Sequence, residues 1–165
     1  MIEIRQAKTK KDYLLIKQLA DAIWREHYIP IIGKPQVDYM LEKFQSAVAV
    51  ENQVLDGFEY FLLYFDETPV GYISIKAEET ELFLSKIYIL YDFRGKKIGK
   101  TAMNFVEEKA KDYGLKIIRL TVNKNNSKTI KAYEKLDFIK DGAIVIDIGN
   151  GFVMDDFVMV KEVVY

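Results

Sequence analysis

The residues Arg94-Gly95-Lys96-Lys97-Ile98-Gly99-Lys100 place four cations and two glycines in seven positions. They follow the apolar run Leu82 to Tyr91 and open a helix-period stretch. A helix start leaves its first backbone N–H groups unpaired, with the positive end of the helix dipole beside them. Cationic side chains around such a spot suit a phosphate or a pyrophosphate. Taken alone, the cluster reads as a solvated basic helix start. The residues from 115 to 138 change that reading.

The elements that must position this loop can be read from periodicity and turn chemistry. Residues 2 to 7 alternate as a half-buried strand. Thr9 caps a helix with Asp12 in its first turn, and Leu15, Leu19 and Ile23, beside Leu14, Ala22 and Trp24, give an apolar stripe to about Arg25. Pro30, Gly33 and Pro35 then predict a loop over Glu26 to Pro35, apolar enough to cover a pocket. Gln36 to Leu55 is helical with a break near Ser46, its buried side formed by Val37, Met40, Leu41, Phe44, Val48 and Leu55. Phe58 to Phe65 and Val70 to Ala77 form a hairpin around Asp66 to Pro69, with Gly71 a bulge or a close backbone approach. Leu82 to Tyr91 is a strand, Ile98 onward a helix stopped at Tyr113-Gly114, and Lys116 to Val122 a strand. Ser127 to Lys135 is a short helix that Asn126 or Ser127 can cap. The strands Phe138 to Ile148 and Phe152 to Lys161 are joined by Gly149-Asn150-Gly151.

Strand, helix and strand over 82 to 122 imply one right-handed parallel crossover, and sequential antiparallel pairing is expected elsewhere. The fold class is therefore α/β (α+β): a mixed, mostly antiparallel sheet of about seven strands with helices on both faces. Ligands of such a crossover sit beyond the strand ends at the helix start.

With 165 residues, half of them hydrophobic, the chain is expected to form a single domain over residues 1–165. A net charge of −1, from 24 basic and 25 acidic residues, argues against nucleic acid as a bulk electrostatic partner. No cysteine and a single histidine leave no thiol nucleophile and no metal cluster. No leader-like or membrane-length apolar run occurs, so a cytoplasmic protein that does not enter membranes is expected. The aromatic strand at 58–65 faces either a core or a second copy, so a homodimer stays open.

Residues 94–99, RGKKIG, resemble the Q/R-x-x-G-x-G/A signature of the GCN5-related N-acetyltransferase (GNAT) superfamily. Leu120-Thr121-Val122, Asn126, Tyr133 and Phe138 resemble that family's second motif, in which an Asn after a strand is followed seven residues later by a Tyr. Two motifs in the right strand-helix context make the resemblance specific. Lys97 stands where the signature has its first glycine, and Asp137 where a glycine precedes Phe138. Lys97 fits that place at a helical φ, where only its N–H need reach a phosphate; a positive φ would count against acetyl-CoA binding. Asp137 tolerates a left-handed backbone and can end the helix.

The resemblance implies the acyl-CoA N-acyltransferase fold, acetyl-CoA as cofactor, and transfer of its acetyl group to a primary amine by direct attack in a ternary complex. It implies a pantetheine arm along Ile87, Tyr88 and Ile89, and a pyrophosphate on Arg94, Gly95, Lys96, Lys97, Ile98, Gly99 and Lys100. Asn126 would touch the cofactor arm, and Tyr133 would protonate the departing sulfur. Without the motif, Tyr133 is a core tyrosine and Asn126 a helix cap. Candidates for receiving the amine or its proton are Glu26, His27, Tyr28, Glu59, Glu81, Asp155 and Asp156, under a roof formed by the 28–35 loop. Each has a plainer reading, such as edge protection by charge for Asp155 and Asp156. The acceptor class implied is a small cationic amine, a polyamine or a peptide amine. A catalytically silent acyl-CoA-binding sensor is the alternative, and a nucleotide-phosphate loop lacks its GxxxxGK[ST] signature.

Overall fold

The computed structural model describes Met1–Tyr165. The elements are β1 (Ile2–Gln6), α1 (Lys10–Ile32), α2 (Lys34–Gln45), α3 (Ala47–Leu55), β2 (Glu59–Phe65), β3 (Thr68–Ala77), β4 (Leu82–Ile89), α4 (Ile98–Asp112), β5 (Ile117–Asn123), α5 (Ser127–Lys135), β6 (Ile139–Gly149) and β7 (Phe152–Glu162). Seven strands are hydrogen-bonded in the order β1-β2-β3-β4-β5-β7-β6, with β4 and β5 parallel. The chain divides into two compact units, one of Met1–Lys76 with Ser85–Val106, the other of Ala77–Leu84 with Glu107–Tyr165.

In the first unit, α1 starts on a capping box. Thr9 Oγ1 accepts from the Asp12 N–H at 3.2 Å while Asp12 takes the N–H of Thr9 at 3.1 Å. The buried stripe is Tyr13, Ile16, Leu19, Ala20, Ile23 and Trp24, so it centres on Ile16; Leu14 and Ala22 are exposed. The expected loop after Arg25 is absent: α1 runs through Pro30 to Ile32. Pro30 lies in the last turn, where its missing N–H forfeits one bond only. The helix ends at Gly33, whose φ of 86° suits glycine and whose N–H donates to the Ile29 carbonyl at 2.9 Å. Pro35 then sits in the first turn of α2, a position that needs no N–H donor. Ser46 separates α2 from α3 and caps α3 through the Ala49 N–H at 3.1 Å. Val48 and Leu55 face solvent, 71% and 79% exposed, so the apolar side of α3 is narrower than spacing implies.

β2 is core on both faces. Tyr60 hydrogen-bonds to Gln53 of α3 at 2.6 Å on one side, while Phe61 packs edge-on against Phe105 of α4, centroids 4.8 Å apart, on the other. Asp66 and Glu67, at φ of 48° and 70°, make a two-residue hairpin turn whose left-handed pair matches the strand twist. β3 carries an extra residue at Val70, between the pairs Leu63↔Gly71 and Tyr64↔Pro69. A Cβ on Gly71 would lie 2.2 Å from the Tyr88 carbonyl oxygen, so of the two sequence expectations for Gly71 the close approach of two backbones is the one realised, beside the bulge.

In the second unit, β5 pairs with β4 only at Leu82↔Ile118 and Phe83↔Arg119. Its other neighbour is β7, not the sequentially next β6, so pairing is not sequential here. Ile118, Leu120, Val122, Phe138 and Met159 are buried, and Lys161 of β7 pairs with Glu107 of α4. Asn150 and Gly151, at φ of 55° and 79°, turn β6 into β7.

Gly71→Ala should destabilise the chain by about 3 kcal/mol, the upper end for overpacking, because the obstacle is backbone. A thermal melt should fall by roughly 6–12 °C; an unchanged melt would show that β3 and β4 separate freely.

Candidate functional site

The first unit carries the basic loop. Leu90 N–H donates to the Val70 carbonyl at 2.8 Å, and a 3₁₀ turn over Tyr91–Phe93 delivers the chain to Arg94. Arg94 has φ −70°, Gly95 φ 80° and Lys97 φ 63°, so left-handed residues are interleaved in the loop. Such interleaving turns successive N–H groups toward one concavity, an anion nest. Nothing lies within 4 Å of a Cβ placed on Gly95. Thr101 N–H is the first taken by α4, bonding the Lys97 carbonyl at 3.1 Å, which leaves the N–H groups of Ile98, Gly99 and Lys100 without intrahelical partners. No acidic residue stands in this first turn. Ile98, buried, anchors the loop while Lys96, Lys97 and Lys100 are exposed. The arrangement fits a diphosphate.

Lys97 does not take the helical φ expected of it. Its φ of 63° falls in the narrow left-handed basin open to L-residues, at a cost of about 1 kcal/mol. Glycine reaches this φ without steric cost, and Lys97 takes it up in a glycine position of the signature. The positive φ counts against the reading of Lys97 as a helical residue, and the anion site rests on the unpaired N–H groups of Ile98, Gly99 and Lys100.

Ile87, Tyr88 and Ile89 are half-buried on β4. The Tyr88 carbonyl faces Gly71 and the Leu90 N–H bonds β3, so alternation sends the N–H and C=O groups of Ile87 and Ile89 to the opposite edge. The Tyr88 ring joins Trp24, Tyr28 and Tyr72 at centroid distances of 5.6, 6.1 and 5.6 Å, and its hydroxyl lies 3.4 Å from that of Tyr28. Tyr28 is therefore brought to β4, but from a helix and not from a covering loop. His27 packs edge-on against Tyr28, and Glu26 is exposed on α1. Glu59 meets Gln6 at 3.3 Å and pairs with Ile75, about 13 Å along β3 from Gly71, so it is not gathered with Tyr88.

Lys86 escaped the sequence reading. Its Nζ donates to Ser85 Oγ at 3.0 Å and Gln53 Oε1 at 3.3 Å, near the rings of Tyr60 and Phe58. Desolvation lowers its pKa to about 8. The available signal was a lysine inside the apolar run LFLSKIYI.

The second unit carries the other motif. Asn126 is buried and opens α5 without a side-chain cap bond. Phe138 N–H bonds the Tyr133 carbonyl and Asp137 N–H that of Glu134, both at 3.1 Å, with Asp137 at φ 73°. This double closure is a Schellman cap, and the apolar contact that accompanies it is Tyr133 on Phe138, centroids 5.5 Å apart. Asp137 thus ends the helix as expected, and the cap holds the half-buried phenol in place.

The acids sort themselves by partner. Glu81 is held by Arg119 at 2.8 Å, so it is no free base. Asp155, its side chain 52% exposed, is paired to Lys124 at 2.9 Å, which removes it as an open amine receptor. Asp156 differs: it is 5% exposed, and burial first, then the Asp155 charge, push its carboxyl up to about 6 against a Thr121 hydrogen bond. Adjacent strand residues face opposite ways, so the Asp155-Asp156 pair is not one site.

The sequence profile of the Acetyltransferase (GNAT) family matches residues 16–138. The spermidine N(1)-acetyltransferase of Thermoplasma acidophilum is 26% identical over 142 residues, spanning 83% of this chain and 88% of that protein. The PaiA N-acetyltransferase of the same organism, crystallised with coenzyme A, superposes with a TM-score of 0.80 at 24% identity, covering 98% of this chain and 99% of that one. A GCN5-related N-acetyltransferase from Rhodopseudomonas palustris superposes at 0.82 with 17% identity, over 97% and 94% of the two chains.

Lys97→Gly should relieve the left-handed strain, so coenzyme A affinity measured by calorimetry should stay within about threefold or tighten; a tenfold loss would mean that the lysine side chain, not its backbone, makes the contact. Asp156→Asn tests the burial cost. The folded pKa of about 6 exceeds the ordinary 3.8, so the wild type loses stability as pH rises from about 4 to about 6. The penalty is then about 3 kcal/mol at most. The Asn variant should melt higher than wild type at pH 8 and match it at pH 4; equal melts at both would show the carboxylate is well solvated.

Proposed function

The chain belongs to the GNAT acetyltransferase family and is an acetyl-CoA-dependent N-acetyltransferase, and we propose that its acceptor is a primary amine, with polyamines such as spermidine the favoured class, acetylated by direct attack in a ternary complex. The left-handed loop at Gly95 and Lys97, open to an anion at the start of α4, is the observation that carries the cofactor half of this reading. The named activity of the Thermoplasma relative supports the acceptor half. The family profile runs through both compact units, which supports treating residues 1–165 as one acetyltransferase domain.

Acetyl-CoA supplies the thioester whose acetyl carbon the amine attacks. In our reading the N–H groups of residues 95–100, with Arg94 and the lysines Lys96, Lys97 and Lys100, bind the diphosphate through charge-assisted bonds. The outward backbone groups of Ile87 and Ile89 orient the pantetheine arm, as the added partner of a strand edge would, and the Ile89 N–H polarises the acetyl carbonyl. Asn126 steadies the arm. Tyr133, fixed by its Schellman cap, gives its proton to the leaving sulfur; phenol and thiol reference pKa values of about 10 and 8.5 permit that transfer. Tyr28, with His27 and Glu26 on the same turn of α1, borders the acceptor. Glu59 is retained only as a distant charge. No helix is long and apolar enough to cross a membrane. The proposed setting is cytoplasmic and without nucleic acid, with a homodimer left open.

Tyr133→Phe should lower spermidine-dependent release of coenzyme A thiol by roughly 10²-fold while calorimetric coenzyme A binding stays within threefold. Equal loss of both, or of neither, would overturn the acid role. Cofactor binding without thiol release for any amine would favour the silent sensor.

A further inference from the structure

Resting on the amine-acetyltransferase reading, we propose that Asp156 receives the acceptor: it binds the incoming ammonium group and takes the proton that must leave before nitrogen can attack.

The register sets the geometry. Asp156 faces Asn123 of β5 and Ile144 of β6, so these side chains share one face of the second unit's strands, with Thr121 two residues back on the same side. The opposite face carries Ile118, Leu120 and Val122, and Lys161, opposite Ile118, reaches Glu107 of α4 from there. Asp156 therefore points away from α4, at the carboxyl end of the parallel strand β5, where α/β crossovers take their ligands. The Lys124 N–H bonds the Asp155 carbonyl at 3.1 Å, which ties this part of β7 to the turn that leads into Asn126 and α5.

A structural carboxylate this buried would be expected to meet a cation. Asp156 has none: no ion pair includes it, and its hydrogen bond comes from the neutral Thr121. Its strand neighbour Asp155 faces the other way and is neutralised by Lys124. On β6, the residue opposite is apolar Ile144, Lys140 lies over the Phe157 ring, and Asp147 stands opposite Val153. Isolated buried carboxylates cost stability, and a site that keeps one uncompensated is built for a cation that arrives later.

Asp156 then does two jobs. Its charge pairs with the ammonium form in which a polyamine or lysine amine arrives near neutral pH. One ammonium proton passes to a carboxylate oxygen, and the freed lone pair forms the C–N bond to the acetyl carbon. The C–S bond breaks with its electrons on sulfur, which takes the Tyr133 proton. The second proton shed by nitrogen restores the phenol, and Asp156 releases its own to water. One proton is released overall for each ammonium acetylated. Burial makes this carboxyl a weaker acid than usual, which matches a base that must hold and release a proton near neutrality.

The test is spermidine-dependent thiol release from pH 5 to 9 with wild type, Asp156→Asn, Asp156→Glu and, as a surface control, Asp141→Asn. Asp156→Asn should lose roughly 10²–10³-fold in kcat/KM at pH 7 and lose the acid limb near pH 6, with coenzyme A affinity unchanged. Its deficit should shrink about tenfold per pH unit toward pH 9 as free amine accumulates. Asp156→Glu should recover a measurable part of the rate with a shifted limb. An Asn variant within threefold of wild type at pH 7, or a uniform loss at every pH, overturns the role of Asp156 alone. A wild type that releases no thiol with any amine overturns the acetyltransfer reading, and this inference with it.

Discussion

The structure depends on how strand β4 satisfies its backbone. One edge is spoken for by β3, brought so close at Gly71 that no side chain fits under the Tyr88 carbonyl. The other edge pairs with β5 at its first two residues only. From Ile87 onward the outward groups lack that neighbour, and Arg94 Nε meets the Ile89 carbonyl at 3.4 Å in its place. Unmet backbone groups are costly when buried, so such an edge is a standing demand for a partner. In the reading proposed above, a pantetheine arm, with its amide donors and acceptors, answers that demand as a strand would. The same strand runs into a helix start whose first amides have no intrahelical partner, and the proposal gives the diphosphate to them.

Charge placement reinforces this division of labour. Two of the candidate acids are already engaged, Glu81 with Arg119 and Asp155 with Lys124. These ion pairs, the first of them part-buried, withdraw their carboxylates from chemistry. Asp156 and Lys86 are the two inward charges left without an opposite, and burial shifts both toward neutrality. Chemistry near pH 7 needs groups so poised.

Both departures from the family signature fall where the backbone is left-handed. Lys97 at φ 63° and Asp137 at φ 73° each occupy a glycine position without glycine. The cost is about 1 kcal/mol apiece, small beside what a packed domain gains elsewhere. At Asp137 the double hydrogen bond and the Tyr133–Phe138 contact offset it. A signature residue is thus better understood as a φ requirement with a preferred solution than as an obligatory side chain.

Local chemistry was legible in the sequence because its causes are local. The Thr9 cap, the Ser46 break, the Asn150-Gly151 turn and the basic loop before Ile98 each need only neighbouring residues to be understood. The aromatic run at 58–65 announced a buried strand for the same reason. Pro30 misled, since a proline's effect depends on how many helix bonds remain after it, and here few do. The stripe of α1 was placed correctly at Leu19, Ile23 and Trp24 but not in its first turns, because only packing shows that Tyr13 and Ile16, and not Leu14 and Leu15, lie inward. Tertiary structure alone decided that β7 lies between β5 and β6, and with that which of two adjacent aspartates is buried. Strand side chains alternate, so Asp155 and Asp156 are indistinguishable until the register assigns one to Lys124 and the water and the other to the interior.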